Sequence, residues 1–143
     1  MRNVSSIAKR VLAGVAVAGT AVALSAAPAF AGDNAHAQST SEECGLISCI
    51  TVEHSEAWFY HDGDDWKICD TYGDGHRAKM SVYWSDSSGN HIHYLSATGG
   101  EGDCVSGGAG VNIPEGQRVT LKVWHQNGAD GSPQDVDTDY GTA

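Results

Sequence analysis

Apolar and polar residues alternate most clearly between Ala78 and Ser85, where Ala78, Met80, Val82 and Trp84 share one parity and Lys79, Ser81, Tyr83 and Ser85 the other. A period of two over eight residues predicts a strand with one buried face. The same period predicts strands around Leu46, Ile50 and Val52, around Ile92 and Tyr94 opposite His91, His93 and Leu95, and from Arg118 to Gln126, where Val119, Leu121 and Val123 point inward. Ala57 to His61 and Trp66 to Cys69 read as shorter strands. Between these runs lie Asp62-Gly63-Asp64-Asp65, Asp70-Thr71-Tyr72-Gly73-Asp74-Gly75, Asp86-Ser87-Ser88-Gly89-Asn90 and Pro114-Glu115-Gly116, residues that satisfy their own backbone or accept left-handed geometry and so make turns.

After residue 31 no stretch shows a 3.6-residue apolar stripe of helical length. The expected fold is therefore all-β, a small antiparallel β-sandwich of immunoglobulin-like or Greek-key type with six to seven strands. A small β-barrel is the alternative. Residues 32 to 43 hold no large apolar side chain and are expected to be a flexible leader. Residues 44 to 143 form one domain, with a long glycine-rich crossing from 99 to 110 and a tail after 128 expected to be loosely ordered, with at most one edge strand near Val136.

Residues 1 to 31 combine a basic start (Arg2, Lys9, Arg10), an apolar run from Val11 to Leu24 and a small-residue exit at Ala29-Phe30-Ala31, the three parts of a secretory signal peptide. The expected product is a secreted, extracellular protein with no membrane anchor. All 18 acidic residues but only five of the eight basic ones follow residue 31, so the formal net charge of −10 falls to −13 on cleavage. Such a balance argues against nucleic acid and anionic membrane, both of which require a basic footprint.

Cys44, Cys49, Cys69 and Cys104 all follow the signal, and in an oxidising compartment they are expected to form two disulfides. Three connectivities are open, and the expected one joins Cys44 to Cys49 and Cys69 to Cys104. A bond between Cys44 and Cys49 bends the chain between them, because five extended steps of about 3.3 Å exceed the roughly 6 Å that a disulfide spans between Cα atoms. Zinc is the rival use of the cysteines, but no Cys-x-x-Cys spacing is present.

The run from Trp66 to His76, the later Gly102-Asp103-Cys104, and Ile113-Pro114-Glu115-Gly116 before an alternating strand resemble small secreted, disulfide-containing β-sandwich proteins of actinobacteria, Streptomyces-like in type, over most of residues 57 to 133. The resemblance implies a Cys69 to Cys104 disulfide. It is to proteins without an assigned activity and so implies no catalytic residue. Proteins of this kind often carry a further cysteine pair, in the strand that here holds Trp124 and in the tail near Val136. This chain lacks it, which again implies a weakly anchored tail.

Candidate chemistry is sparse. There is no Gly-x-Ser-x-Gly and no His-Glu-x-x-His, no catalytic residue is singled out, and no cofactor is expected. His91 and His93, two apart in a strand and about 6 to 7 Å from each other, are a candidate metal pair, with His76 or Asp74 as a further ligand. The carboxylates of Asp62 to Asp65 and Asp70 to Asp74 match no calcium loop. Trp58, Phe59, Tyr60, Tyr83 and Trp124 are candidates for a recognition platform, since three successive aromatics cannot all face one core and the last two have the polar parity of their strands. The function expected is a non-enzymatic protein that binds an extracellular protein or polysaccharide through aromatic and acidic surface, or serves as a small structural component. The alternatives are an inhibitor of a secreted hydrolase, with Trp58 to Tyr60 as its blocking loop, and a metal-binding protein.

Overall fold

The computed structural model describes residues 31–143; the export signal expected over residues 1 to 31 lies, but for Ala31 itself, outside the described residues. Eight strands follow in order: β1 (Ala35–Cys44), β2 (Cys49–Tyr60), β3 (Asp65–Asp70), β4 (Arg77–Asp86), β5 (Gly89–Ala97), β6 (Cys104–Gly107), β7 (Arg118–Gln126) and β8 (Gln134–Thr142). They form two four-stranded sheets, β1-β2-β3-β6 and β5-β4-β7-β8, in which every adjacent pair is antiparallel. The chain changes sheet between β3 and β4, β5 and β6, and β6 and β7, the interleaving of a Greek-key sandwich. No helix among the described residues is long and apolar enough to cross a membrane.

The core lies between the sheets. Ala37, Ala57, Phe59, Trp66 and Ile68 face Ala78, Met80, Val82, Trp84, Val119, Leu121 and Val123, all essentially inaccessible to water. The alternation read along β4 and β7 is this inward face. Ile113, in the loop before β7, joins the same core. Its backbone N–H donates to Asp64 Oδ2 at 2.7 Å, tying that loop to the β2–β3 turn.

Both disulfides have the expected partners, Cys44 with Cys49 and Cys69 with Cys104. The first closes the β1–β2 hairpin at its tip. The second staples neighbouring strands β3 and β6, where Cys69 and Cys104 are register partners. Two disulfides fit an extracellular or otherwise oxidising compartment.

The strand count is eight rather than six or seven, and the differences have physical causes. The segment read as a flexible leader is β1, whose inward positions Ala35, Ala37 and Ser39 are small residues that fit the sandwich edge without an apolar signature. Leu46 belongs to the exposed disulfide-closed turn, and the two runs on either side of Ser55 are one strand, β2. Within the glycine-rich crossing the disulfide draws Cys104–Gly107 into the sheet as β6.

The acidic tail is strand β8, and it is anchored. Asp139 Oδ2 and Asp137 Oδ2 accept from the backbone N–H groups of His36 and Gln38 at 2.8 and 3.1 Å, so the carboxylates cover the free edge of β1. Asp33 and Thr142 exchange two backbone hydrogen bonds, and the Ala143 N–H donates to the Gln117 carbonyl.

Candidate functional site

Two regions of the molecule depart from what a stable sandwich requires by itself. One is a polar layer inside it, the other an outer sheet face.

The polar layer is made by two β-bulges. Along β1 and β2 the register passes from Ser39↔Ser55 to Thr40↔Glu53, leaving His54 as the extra residue. A bulge of this kind shifts the phase of a strand by one. Its result is that Val52 and His54 face inward before it and Ser55, Ala57 and Phe59 after it. Along β7 and β8 the register passes from Val123↔Asp137 to His125↔Gln134, so that Asp135 and Val136 stand opposite Trp124 alone. Asp135 takes a left-handed φ of 45°, which aims its side chain back toward β7. His125 continues the inward face of Val119, Leu121 and Val123.

These shifts bring His54 and His125 face to face at 4.0 Å between ring centroids, with His76 edge-on to His125 at 5.2 Å. His54 and His125 are 7% and 3% exposed. Each is held at Nδ1: His54 by Asp74 Oδ2 at 2.9 Å and His125 by Ser39 Oγ at 3.0 Å. His54 Nε2 meets the Ser41 hydroxyl at 2.8 Å, and His125 Nε2 lies 3.6 Å from Asp135 Oδ2. Asp74 Oδ1 also accepts from the His76 backbone N–H at 2.7 Å. Burial opposes ionisation of Asp74, but the His76 N–H and the side chains of His76 and His54 outweigh it and hold the carboxyl below its ordinary value of 3.8. Desolvation, reinforced by the neighbouring His54, holds the His125 imidazole below its ordinary 6.5.

The four metal-ligand candidates of the sequence do not come together. His76 and Asp74 precede β4 and join the buried layer, whereas His91 pairs with Trp84 at the other end of that strand, eight residues or about 27 Å away. His91 and His93 have the inward parity of β5 rather than the solvent-facing one. Both rings stack on the Trp84 indole, at 4.9 and 5.3 Å, and cover the core at the β5 edge. His91 Nε2 is further engaged by Asp86 at 3.1 Å. His54 and His125 did carry a parity signal, His54 following Ile50 and Val52 and His125 following Val119, Leu121 and Val123 at intervals of two; their meeting across the sandwich is visible only in the pairing.

The five aromatic candidates also separate. Phe59 is a core residue, fully buried. Trp58 and Tyr60 have the outward parity of β2, with Trp58 stacked on His36 at 5.4 Å and under the Lys67 ammonium. These three residues lie in a strand, so the blocking loop expected of an inhibitor is not present there. Tyr83 lies on the outer face of the other sheet, and Trp124, of the same parity, is buried there at 8% exposure.

That outer face is read directly from the register. One row across it is Ile92, Tyr83, Thr120 and Tyr140; the next is Tyr94, Ser81, Lys122 and Thr138; the third holds Ser96, Lys79 and Trp124. Tyr94 is 64% exposed, Tyr140 51%, Ile92 50% and Tyr83 38%. Trp124 lies at the floor of a shallow groove of about 290 Å³ lined also by Ser81, Ile92, Tyr94, Lys122 and Pro133. Its indole N–H donates to Gln126 Oε1 at 2.9 Å. Arg77, Lys79, Arg118 and Lys122 all have outward parity here, so the face carries four of the five basic residues that follow residue 31. The Arg118 guanidinium sits 4.3 Å over the Tyr140 ring. None of the outward positions of these rows is a carboxylate. Aromatic surface is thus combined with positive rather than acidic groups.

Neither a scan against protein-family models nor searches of the curated proteins and of the solved structures found a match to this chain.

Proposed function

We propose that this chain is a secreted, non-enzymatic binding protein that docks a sparsely carboxylated polysaccharide on the outer face of β5-β4-β7-β8. The observation that carries this reading is the segregation of charge. In a chain with 18 acidic and eight basic residues, one sheet face is free of carboxylates and holds four cations among exposed aromatic rings. An acidic protein repels a densely charged polyanion at long range, which favours a partner with few, widely spaced anionic groups.

The dimensions favour a sugar chain over a protein. Four strands about 4.8 Å apart and six residues of strand at about 3.3 Å each give a platform of about 15 by 20 Å. That is well under the roughly 800 Å² per partner of a stable protein interface. Tyr83 and Tyr94 present exposed ring surface for stacking on sugars, Tyr140 carries the Arg118 guanidinium over its ring, and Thr120 and Thr138 lie between them in the outward rows. Lys122, beside the groove, is placed to meet a carboxylate.

Calorimetric titration of the mature protein with a polysaccharide carrying one uronic acid among several neutral sugars, and with a neutral polysaccharide of similar length, tests the reading. Binding of the sparsely carboxylated polymer alone, weakening with salt, is the expected result. Equal affinity for the two polymers, or heat from neither at millimolar sugar, excludes it.

A further inference from the structure

We infer that the buried polar layer is a binding site for a divalent transition ion, Zn²⁺ or Cu²⁺, with His54, His125 and Asp135 as its protein ligands. One ligand atom from each of these three residues lies within 4.8 Å of the other two. Both imidazoles are almost wholly buried, and Asp135 stands at the exposed lip. Imidazole nitrogen with one carboxylate suits zinc or copper and disfavours calcium and magnesium, which take oxygen donors.

Three independent features support the assignment. The first is orientation from behind: Asp74 holds His54 at Nδ1 and Ser39 holds His125 at Nδ1, the carboxylate and hydroxyl partners that fix a ligating imidazole. The second is that the sandwich gives up apolar packing at this level, placing two histidines and a serine where inward positions elsewhere hold Ala, Val, Leu or Phe. The third is an entry path, since Asp135 opens onto a surface groove bordered by Gln38, Thr40 and Val136.

Ligand atoms on a tetrahedral ion with bonds of about 2.1 Å stand about 3.4 Å apart, so donors up to 4.8 Å apart must draw together. Asp135 Oδ2 is already 3.6 Å from His125 Nε2, so metal binding requires chiefly that the His54 and His125 rings swing out of their stack, because a ring nitrogen's lone pair lies in the plane of its ring. His54 presents Nε2 by releasing the Ser41 hydroxyl, and water from the lip takes the fourth position.

Titration of the metal-free mature protein with Co²⁺, followed by Zn²⁺ displacement, tests the site. The expected result is the visible absorption of four-coordinate cobalt saturating at about one equivalent and abolished by one equivalent of Zn²⁺. Asp135→Asn and His125→Gln are expected to remove the absorption, and Asp74→Asn to weaken binding by about 10- to 100-fold. The double variant His91→Gln/His93→Gln is expected to bind as the parent does. Absence of the absorption overturns the proposal, as does its survival in Asp135→Asn or its loss in the His91/His93 variant. Asp135 lies at the exposed lip, so its variant decides the matter even where His125→Gln fails to fold.

Discussion

The rings of His54, from the bulge of β2, and His125, from β7, stack at 4.0 Å and 24° between the two sheets. Around them stand His76, Asp74 and Asp135. Because burial first, and His54 second, depress the His125 pKa, the native state binds a proton there less readily than the unfolded chain does. Stability from this group is therefore fully present above the ordinary value of 6.5 and is lost as pH falls through the lower native value. Asp74, also depressed, adds a further loss below its ordinary 3.8. Urea midpoints are predicted to fall between pH 7 and pH 5 and again below pH 4, and His125→Leu is predicted to flatten the first step. A midpoint independent of pH from 7 to 5 in the parent contradicts this.

The two disulfides close loops of very different length, with sequence separations of 35 for Cys69–Cys104 and 5 for Cys44–Cys49. In the chain-entropy model they stabilise by about 4 and about 2 kcal/mol. The Cys44–Cys49 tip is exposed on both strands, so little packing is lost with it. Cys69→Ser/Cys104→Ser is predicted to lower the unfolding free energy by roughly twice as much as Cys44→Ser/Cys49→Ser, measured by denaturant titration of both double variants.

Asp137 and Asp139 act as a cover for the β1 edge, through hydrogen bonds to Gln38 and His36. Removing either carboxylate leaves a strand N–H unpaired and is predicted to cost about 1 kcal/mol. The double variant Asp137→Ala/Asp139→Ala also exposes an unpaired strand edge, and light scattering is predicted to show self-association absent from the parent. Unchanged hydrogen exchange at His36 and Gln38 in that variant contradicts the assignment.

The sequence showed the fold wherever a strand buries one apolar face, as β4 and β7 do, and wherever Asp and Gly mark a turn. It did not show β1, and it allowed β8 only as an edge strand near Val136 in a loose tail; the inward positions of both hold Ala, Ser and Asp because they serve the sandwich edge rather than its centre. His54 and His125 have the inward parity of Val52 and of Val123, so their direction was legible, while their stacking required the pairing of the two sheets; the β2 bulge hid instead the inward face of Ser55, Ala57 and Phe59. Tyr83 and Trp124 were legible as outward residues by parity, while their grouping with Lys79, Lys122 and Tyr94 required the register of three strands.

The central claim, recognition by the outer face of β5-β4-β7-β8, is tested most directly by comparing affinity for a sparsely carboxylated polysaccharide between the parent and three variants in one calorimetric series. Tyr94→Ala is predicted to weaken binding about tenfold, equivalent to about 1.4 kcal/mol. Lys122→Glu is predicted to weaken it and to reduce its dependence on salt, and Trp58→Ala, on the opposite sheet, to leave it unchanged. Affinity that survives both Tyr94→Ala and Lys122→Glu, or that is lost in Trp58→Ala, would contradict the account.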